Sequence, residues 1–193
     1  RRSSSHTEPI GPPVALDLLF AQVLGDVFGV TPCLRITPQE KSSALNMLHG
    51  HGVSVDTLSN RNGSGAGGGG NGGQVRALVK RHLVDMARDW PLYFARLFAV
   101  QGAPLYPDVS IMGVSHSGLY LARRDADYLI VVQAISFGEI QSAVTLPRPA
   151  ALQLNLRNGK HLALHAARAA AIQSMVTTFV QEFRKLQSKA STL

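Results

Sequence analysis

Few positions in this chain place reactive side chains at spacings that could do chemistry. Asp108, Ser115 and His116 supply the residue types of a nucleophile–base–acid triad. Ser115 and His116 are neighbours in an expected turn, which leaves no room for a base held by a separate orienting group. His49 and His51 form one histidine pair, and His161 and His165 another, without Asp, Glu or Cys partners at ligand spacing. The second pair lies four residues apart on an expected strand, about 13 Å by strand rise, too far to share an ion. Asp125 and Asp127 fall in an expected turn and do not make an acid/base pair. Gly63, Gly65 and Gly68 have the spacing of a phosphate-cradling loop, but no strand leads in and no Lys-Ser/Thr follows. The expectation is a protein without catalytic centre, metal or cofactor.

Recognition is the chemistry that remains. The 193 residues carry a net charge of +7, with 45% hydrophobic and 16% charged residues, a globular composition. All of the net charge falls in residues 75–193, because residues 1–74 balance. Such a surface serves solubility or meets an acidic partner. The basic residues are scattered and aromatics make up 6%, so nucleic acid is not expected. Arg123, Arg124, Arg148 and Lys160 fall near expected loop ends, where they could meet anionic lipid headgroups. One cysteine, Cys33, excludes an intrachain disulfide and fits a reducing compartment. No apolar run approaches the roughly 18 residues of a membrane span, and the start of the chain has no apolar signal-like core.

The elements that must position these residues change class midway. Residues 1–13 read as a loose polar tail. Val14–Phe28 has helical spacing at Leu16, Leu19, Phe20, Val23 and Val27, and Thr37-Pro38-Gln39-Glu40 resembles the start of a second helix. Residues 60–73 are a Gly-rich, low-complexity insertion. Val75–Trp90 predicts a helix with Val75, Leu78, Val79, His82, Leu83 and Met86 on its buried face, stopped by Pro91. Tyr93–Val100 predicts a strand. Two alternating runs around Ser115-His116-Ser117-Gly118 predict a hairpin, and Tyr128–Ser136 a buried strand. Ile140–Leu146 follows a corner at Ser136-Phe137-Gly138-Glu139. Ala151–Leu156 and His161–His165 flank an Asn158-Gly159 turn, whose residues tolerate positive φ. Ala166–Gln187 closes the chain as a helix, with Ala169, Ile172, Met175, Val176, Phe179, Phe183 and Leu186 as its stripe. The predicted class is α+β: a pleckstrin-homology-like, seven-stranded antiparallel sandwich capped by a C-terminal helix and preceded by a helical segment. Residues 14–91 form that segment, 92–188 the sandwich and 189–193 a tail.

Such a sandwich leaves a groove between its fifth strand and the closing helix. A ligand can add as a strand along Ser142, Ala143, Val144, Thr145 and Leu146, with Thr178, Phe179 and the turn from Gln181 to Arg184 on the helix side. Phe179 and Phe183 equally fit a core stripe.

Four short motifs in order also resemble the end of a FERM domain. Val75–Pro91 resembles the last helix of its second lobe, and Tyr93–Val100 the first strand of its third. Met112-Gly113-Val114 with Gly118-Leu119 resembles its hydrophobic-Gly-Val…Gly-Leu hairpin, and Phe137-Gly138-Glu139-Ile140 its corner. The pattern is most similar to the MyTH4-FERM tails of unconventional myosins of classes fifteen and seven. The resemblance implies a non-catalytic adaptor in the cytoplasm, linked to the actin cytoskeleton and the membrane periphery, that binds a cargo or adaptor peptide. Anionic phosphoinositide lipid is the alternative ligand, and a lobe that only packs on the remaining lobes of a larger FERM chain is the third reading. No ubiquitin-like first lobe or motor sequence is recognisable, so a piece of a longer protein is expected.

Overall fold

In the computed structural model, the described residues are 13–53, 71–103 and 105–190. They divide into two units. One holds the helices up to Cys33 and from Pro38 to Asp89; the other holds Leu34–Thr37 and the chain from Trp90 onward.

The first unit contains α1 (Pro13–Phe28), α2 (Pro38–Gly50) and α3 (Asn71–Arg88). Proline begins α1 and α2, where its missing N–H costs nothing. Phe20, Val23, Leu24 and Val27 of α1 are buried, as are Ala44 and Leu48 of α2. The insertion expected over residues 60–73 lies outside the described residues as far as 70. Its last three residues are already helical, at the α3 start, where N–H groups lack intrahelical partners in any case. The α3 stripe is rotated from the expected one: Val79, Leu83, Val84 and Ala87 are buried, while Leu78 and His82 are exposed. Lys80 borders the rotated face. Its ammonium bonds Asp17 of α1 at 2.6 Å and lies 5.8 Å from the Phe20 ring centroid, which sets the Lys80 side of α3 against α1. The helix stops at Arg88, because Pro91 drives Trp90 out of the helical region and Asp89 N–H closes on the Met86 carbonyl at 3.2 Å.

The second unit is built on two antiparallel sheets. One has the order β1 (Arg96–Ala99), β2 (Ile111–Ser115), β3 (Gly118–Asp125), β4 (Tyr128–Ile135). The other has the order β5 (Ile140–Pro147), β6 (Ala150–Leu156), β7 (His161–His165), and α4 (Ala169–Ala190) follows. Both sheets and the helix share one core, including Phe98, Met112, Leu121, Leu152, Leu164 and Ile172. The sheets meet where Gln101 and His165 exchange backbone bonds of 2.9 and 2.8 Å. Gly159 has φ +80°, as the Asn-Gly turn requires. Gly113 is small for a different reason: a Cβ there would lie 2.7 Å from Cδ2 of Leu92.

Three local expectations are corrected. The first strand is only Arg96–Ala99. Tyr93 lies instead in a buried turn, with Trp90 edge-on to its ring at 5.4 Å, so its aromatic character reflects burial rather than pleating. Helix α4 begins at Ala169 rather than Ala166, because Ala166 N–H is still bonded to the Ala150 carbonyl at 3.2 Å. Leu186 is 66% exposed rather than part of the stripe; Phe183, one turn earlier, lies over Gly138.

Candidate peptide-binding edge

Strand β5 is the outer strand of its sheet. Its pairing with β6 runs from Ile140↔Leu156 to Pro147↔Ala150, with a register shift between Ile140 and Ser142. That bulge leaves Gln141 without a partner on β6, the usual fate of the extra residue. Its carbonyl is taken from the helix: Nη2 of Arg184 donates to Gln141 O at 2.8 Å and, less closely, to Ile140 O at 3.4 Å. Beyond this clasp, no strand among the described residues pairs the outer side of β5. The edge of the other sheet is treated differently, since Leu129 N–H at the start of β4 donates to the Leu34 carbonyl at 2.9 Å.

Alternation along β5 sorts the expected contact residues. Ser142, Val144 and Leu146 are exposed, and Ala143 and Thr145 are half-buried. Val144 and Leu146 keep 40% exposure each. Cross-strand, Ser142 Oγ accepts from Asn155 Nδ2 at 2.9 Å, and Asn155 Oδ1 accepts from Gln153 Nε2 at 2.9 Å, a polar ladder on the same face.

On the helix, Phe179 belongs to the packing: it is half-buried and stacked on Phe137 at 5.1 Å. Thr178 is exposed, and its Oγ1 donates to the Ser174 carbonyl at 3.0 Å. It lies about a third of a turn from the face of Arg184. Thr177 and Gln181, seven and three residues before Arg184, share that face and are exposed. The sequence placed the turn from Gln181 to Arg184 on the helix side, but no local signal singled out Arg184 within it as the residue that reaches β5.

The four basic residues expected to face lipid do not form one cluster. Arg123 and Arg124 are neighbours near the end of β3, on opposite faces of the strand, with Asp125 and the turn residue Asp127 following, and Arg124 Nε donates to Ala126 O at 3.2 Å. Arg148 is in the β5–β6 turn and Lys160 in the β6–β7 turn, opposite ends of β6, about 20 Å apart by strand rise.

Asp108 precedes β2 and His116 follows it, so the length of the strand separates them. Ser115 is buried, its Oγ shared with Ser117 Oγ at 2.8 Å and accepting Ser117 N–H at 3.2 Å. Among the described residues, no group of three or more His, Cys, Asp or Glu could hold a metal ion. At the corner, the Glu139 carboxylate accepts Ser136 N–H and Ser136 Oγ–H, both at 2.8 Å. These bonds, the backbone one foremost, hold its pKa below the usual carboxylate value.

Comparison with known proteins agrees with this architecture. Residues 6–94 match a family model described as unconventional myosin-XV-like domain. The chain is 33% identical over 180 residues to human unconventional myosin-XVB and, equally, to human unconventional myosin-XV, covering 90% of its own length in each case. It spans 5% of the length of either relative. Among solved structures, the FERM and C-terminal domain complex of Drosophila Merlin matches 95% of the chain and 68% of the Merlin chain, with a TM-score of 0.53 at 12% identity, a likeness of fold.

Proposed function

We propose that this chain, a FERM-type segment of the class-fifteen unconventional-myosin kind, is a non-catalytic adaptor module. In this reading, residues 92–188 are the binding lobe and residues 14–91 are part of a helical lobe. The module docks an extended cargo or adaptor peptide on β5, in a cytoplasmic, cytoskeleton-associated protein. The observation that carries the reading is the β5 edge, which no strand among the described residues pairs, flanked by α4 and bearing exposed Val144 and Leu146. An added strand gains main-chain hydrogen bonds along the edge, and alternate side chains give it selectivity.

N-methylation of the peptide tests this directly. In a bound strand, alternate N–H groups face β5, so methylating one alternating set abolishes binding and methylating the other leaves it. Titration by fluorescence anisotropy reads the difference. Equal binding of both methylated peptides would reject strand addition.

A purely structural lobe is the second reading. It draws on Val14 and Leu18, both 68% exposed one turn apart on α1, and on Leu78 of α3 at 62%. Remaining lobes of a longer chain would cover such residues, and the same module could still bind a peptide. The lipid reading draws less support, because its four residues are dispersed.

A further inference from the structure

We propose that Arg184 sets the register of the bound peptide and selects one that is acidic at its C-terminal end. The proposal rests on strand addition to β5.

The guanidinium occupies the carbonyls of Ile140 and Gln141, so an added strand can pair only from Ser142 onward. Arg184 is therefore the stop at one end of the groove. Strand β5 runs from Ile140 to Pro147. Antiparallel pairing, the slightly more stable kind, starts the peptide beside Leu146 and brings its C-terminal end to Arg184.

What waits there is cationic and only partly engaged. Both backbone bonds use Nη2, which leaves the Nε–H and Nη1–H groups of an exposed side chain free for a carboxylate. Two more cations occupy the same end of the sheet. Arg157 follows β6, its N–H bonded to Glu139 O at 2.9 Å, and the Lys160 carbonyl accepts Leu156 N–H at 2.8 Å. Both are exposed. The nearby Glu139 keeps its charge but is held toward Ser136, and Glu182 lies on the far side of α4, two residues before Arg184. The opposite end of the groove has Arg148 in its turn, and Arg168, just before α4, is drawn over the Phe98 ring of the other sheet at 5.9 Å. The charge therefore distinguishes the two ends, and the fitting partner is an extended apolar segment followed by Asp, Glu or a free carboxylate.

The test uses labelled peptides that share one alternating Val/Thr segment. The segment is followed by Asp-Glu-Asp, Ser-Gly-Ser or Lys-Lys-Lys, or preceded by the acidic triplet. The full chain is expected to bind the C-terminally acidic peptide roughly tenfold more tightly than the neutral one, as a charge-assisted bond allows. Moving the triplet to the other end should forfeit most of that gain. Arg184→Gln should abolish the preference, leaving the neutral peptide bound. Arg157→Gln/Lys160→Gln, which touches no bond to α4, should reduce it with β5 intact. Neutral and acidic peptides binding alike would overturn the Arg184 proposal while strand addition stands. Loss of N-methyl sensitivity would overturn both. An acidic preference that survives Arg184→Gln, or anionic vesicles that compete through Arg184 where peptides do not bind, would also overturn it.

Discussion

Replacing Arg35 by methionine keeps the aliphatic stem and removes the guanidinium. Nη1 of Arg35 donates to the carbonyls of Ala95 at 2.6 Å, Tyr93 at 3.1 Å and Leu92 at 3.5 Å. Nη1 carries only two hydrogens, so the two shorter contacts count as bonds and the third is marginal. These carbonyls form the turn that carries the chain from Trp90 into β1. A bond to a charged donor contributes about 1.5–3 kcal/mol, and the half-buried site lowers that through competing water. A net loss of about 2 kcal/mol is expected, or roughly 10 °C for a unit of this size. Trp90 is the sole tryptophan and is buried against Tyr93 in the same turn, so its fluorescence reports the loss during urea unfolding. Arg35→Lys, with one ammonium and no planar fork, should fall between wild type and Arg35→Met. An unchanged urea midpoint in Arg35→Met would refute the claim that this side chain holds the turn.

Gly113→Ala should cost about 1 kcal/mol, since the new methyl meets Cδ2 of buried Leu92 at 2.7 Å and the side chain must yield. Thermal unfolding checks it, and a double mutant with Leu92→Ala should lose less than the two single changes together. Glu139→Gln tests the corner through pH. The folded pKa of Glu139 is depressed below 4.5, so its stabilisation is complete above that value and is lost as pH falls through the lower folded pKa. The advantage of wild type over Glu139→Gln, measured by urea midpoints, should shrink on acidification and stay constant near neutrality. Val144→Lys should leave stability within about 0.5 kcal/mol, because the residue is exposed, yet weaken peptide binding in anisotropy titrations.

The sequence by itself determined the order and type of elements, because local signals carry them. Period-2 alternation marks β2 and β3, Asn158-Gly159 marks their counterpart turn between β6 and β7, and Pro91 ends α3 from within the chain. It also placed a sheet edge at β5, since order alone makes the fifth strand of such a sandwich an outer one. Tertiary structure decided what depends on facing surfaces. The direction in which α3 turns its stripe is set by the burial of Val79, Leu83, Val84 and Ala87, with Lys80 meeting Asp17 across 63 residues of sequence. The turn at Tyr93 is held by Arg35, 58 residues away, a bond no local window contains. The charge of the groove likewise depends on folding: Arg184 reaches a carbonyl freed by a bulge 43 residues earlier, while Arg148 and Lys160 are driven to opposite ends of β6. Periodicity reports which residues share a face; only packing fixes which face meets which neighbour, and long polar side chains are committed at that last step.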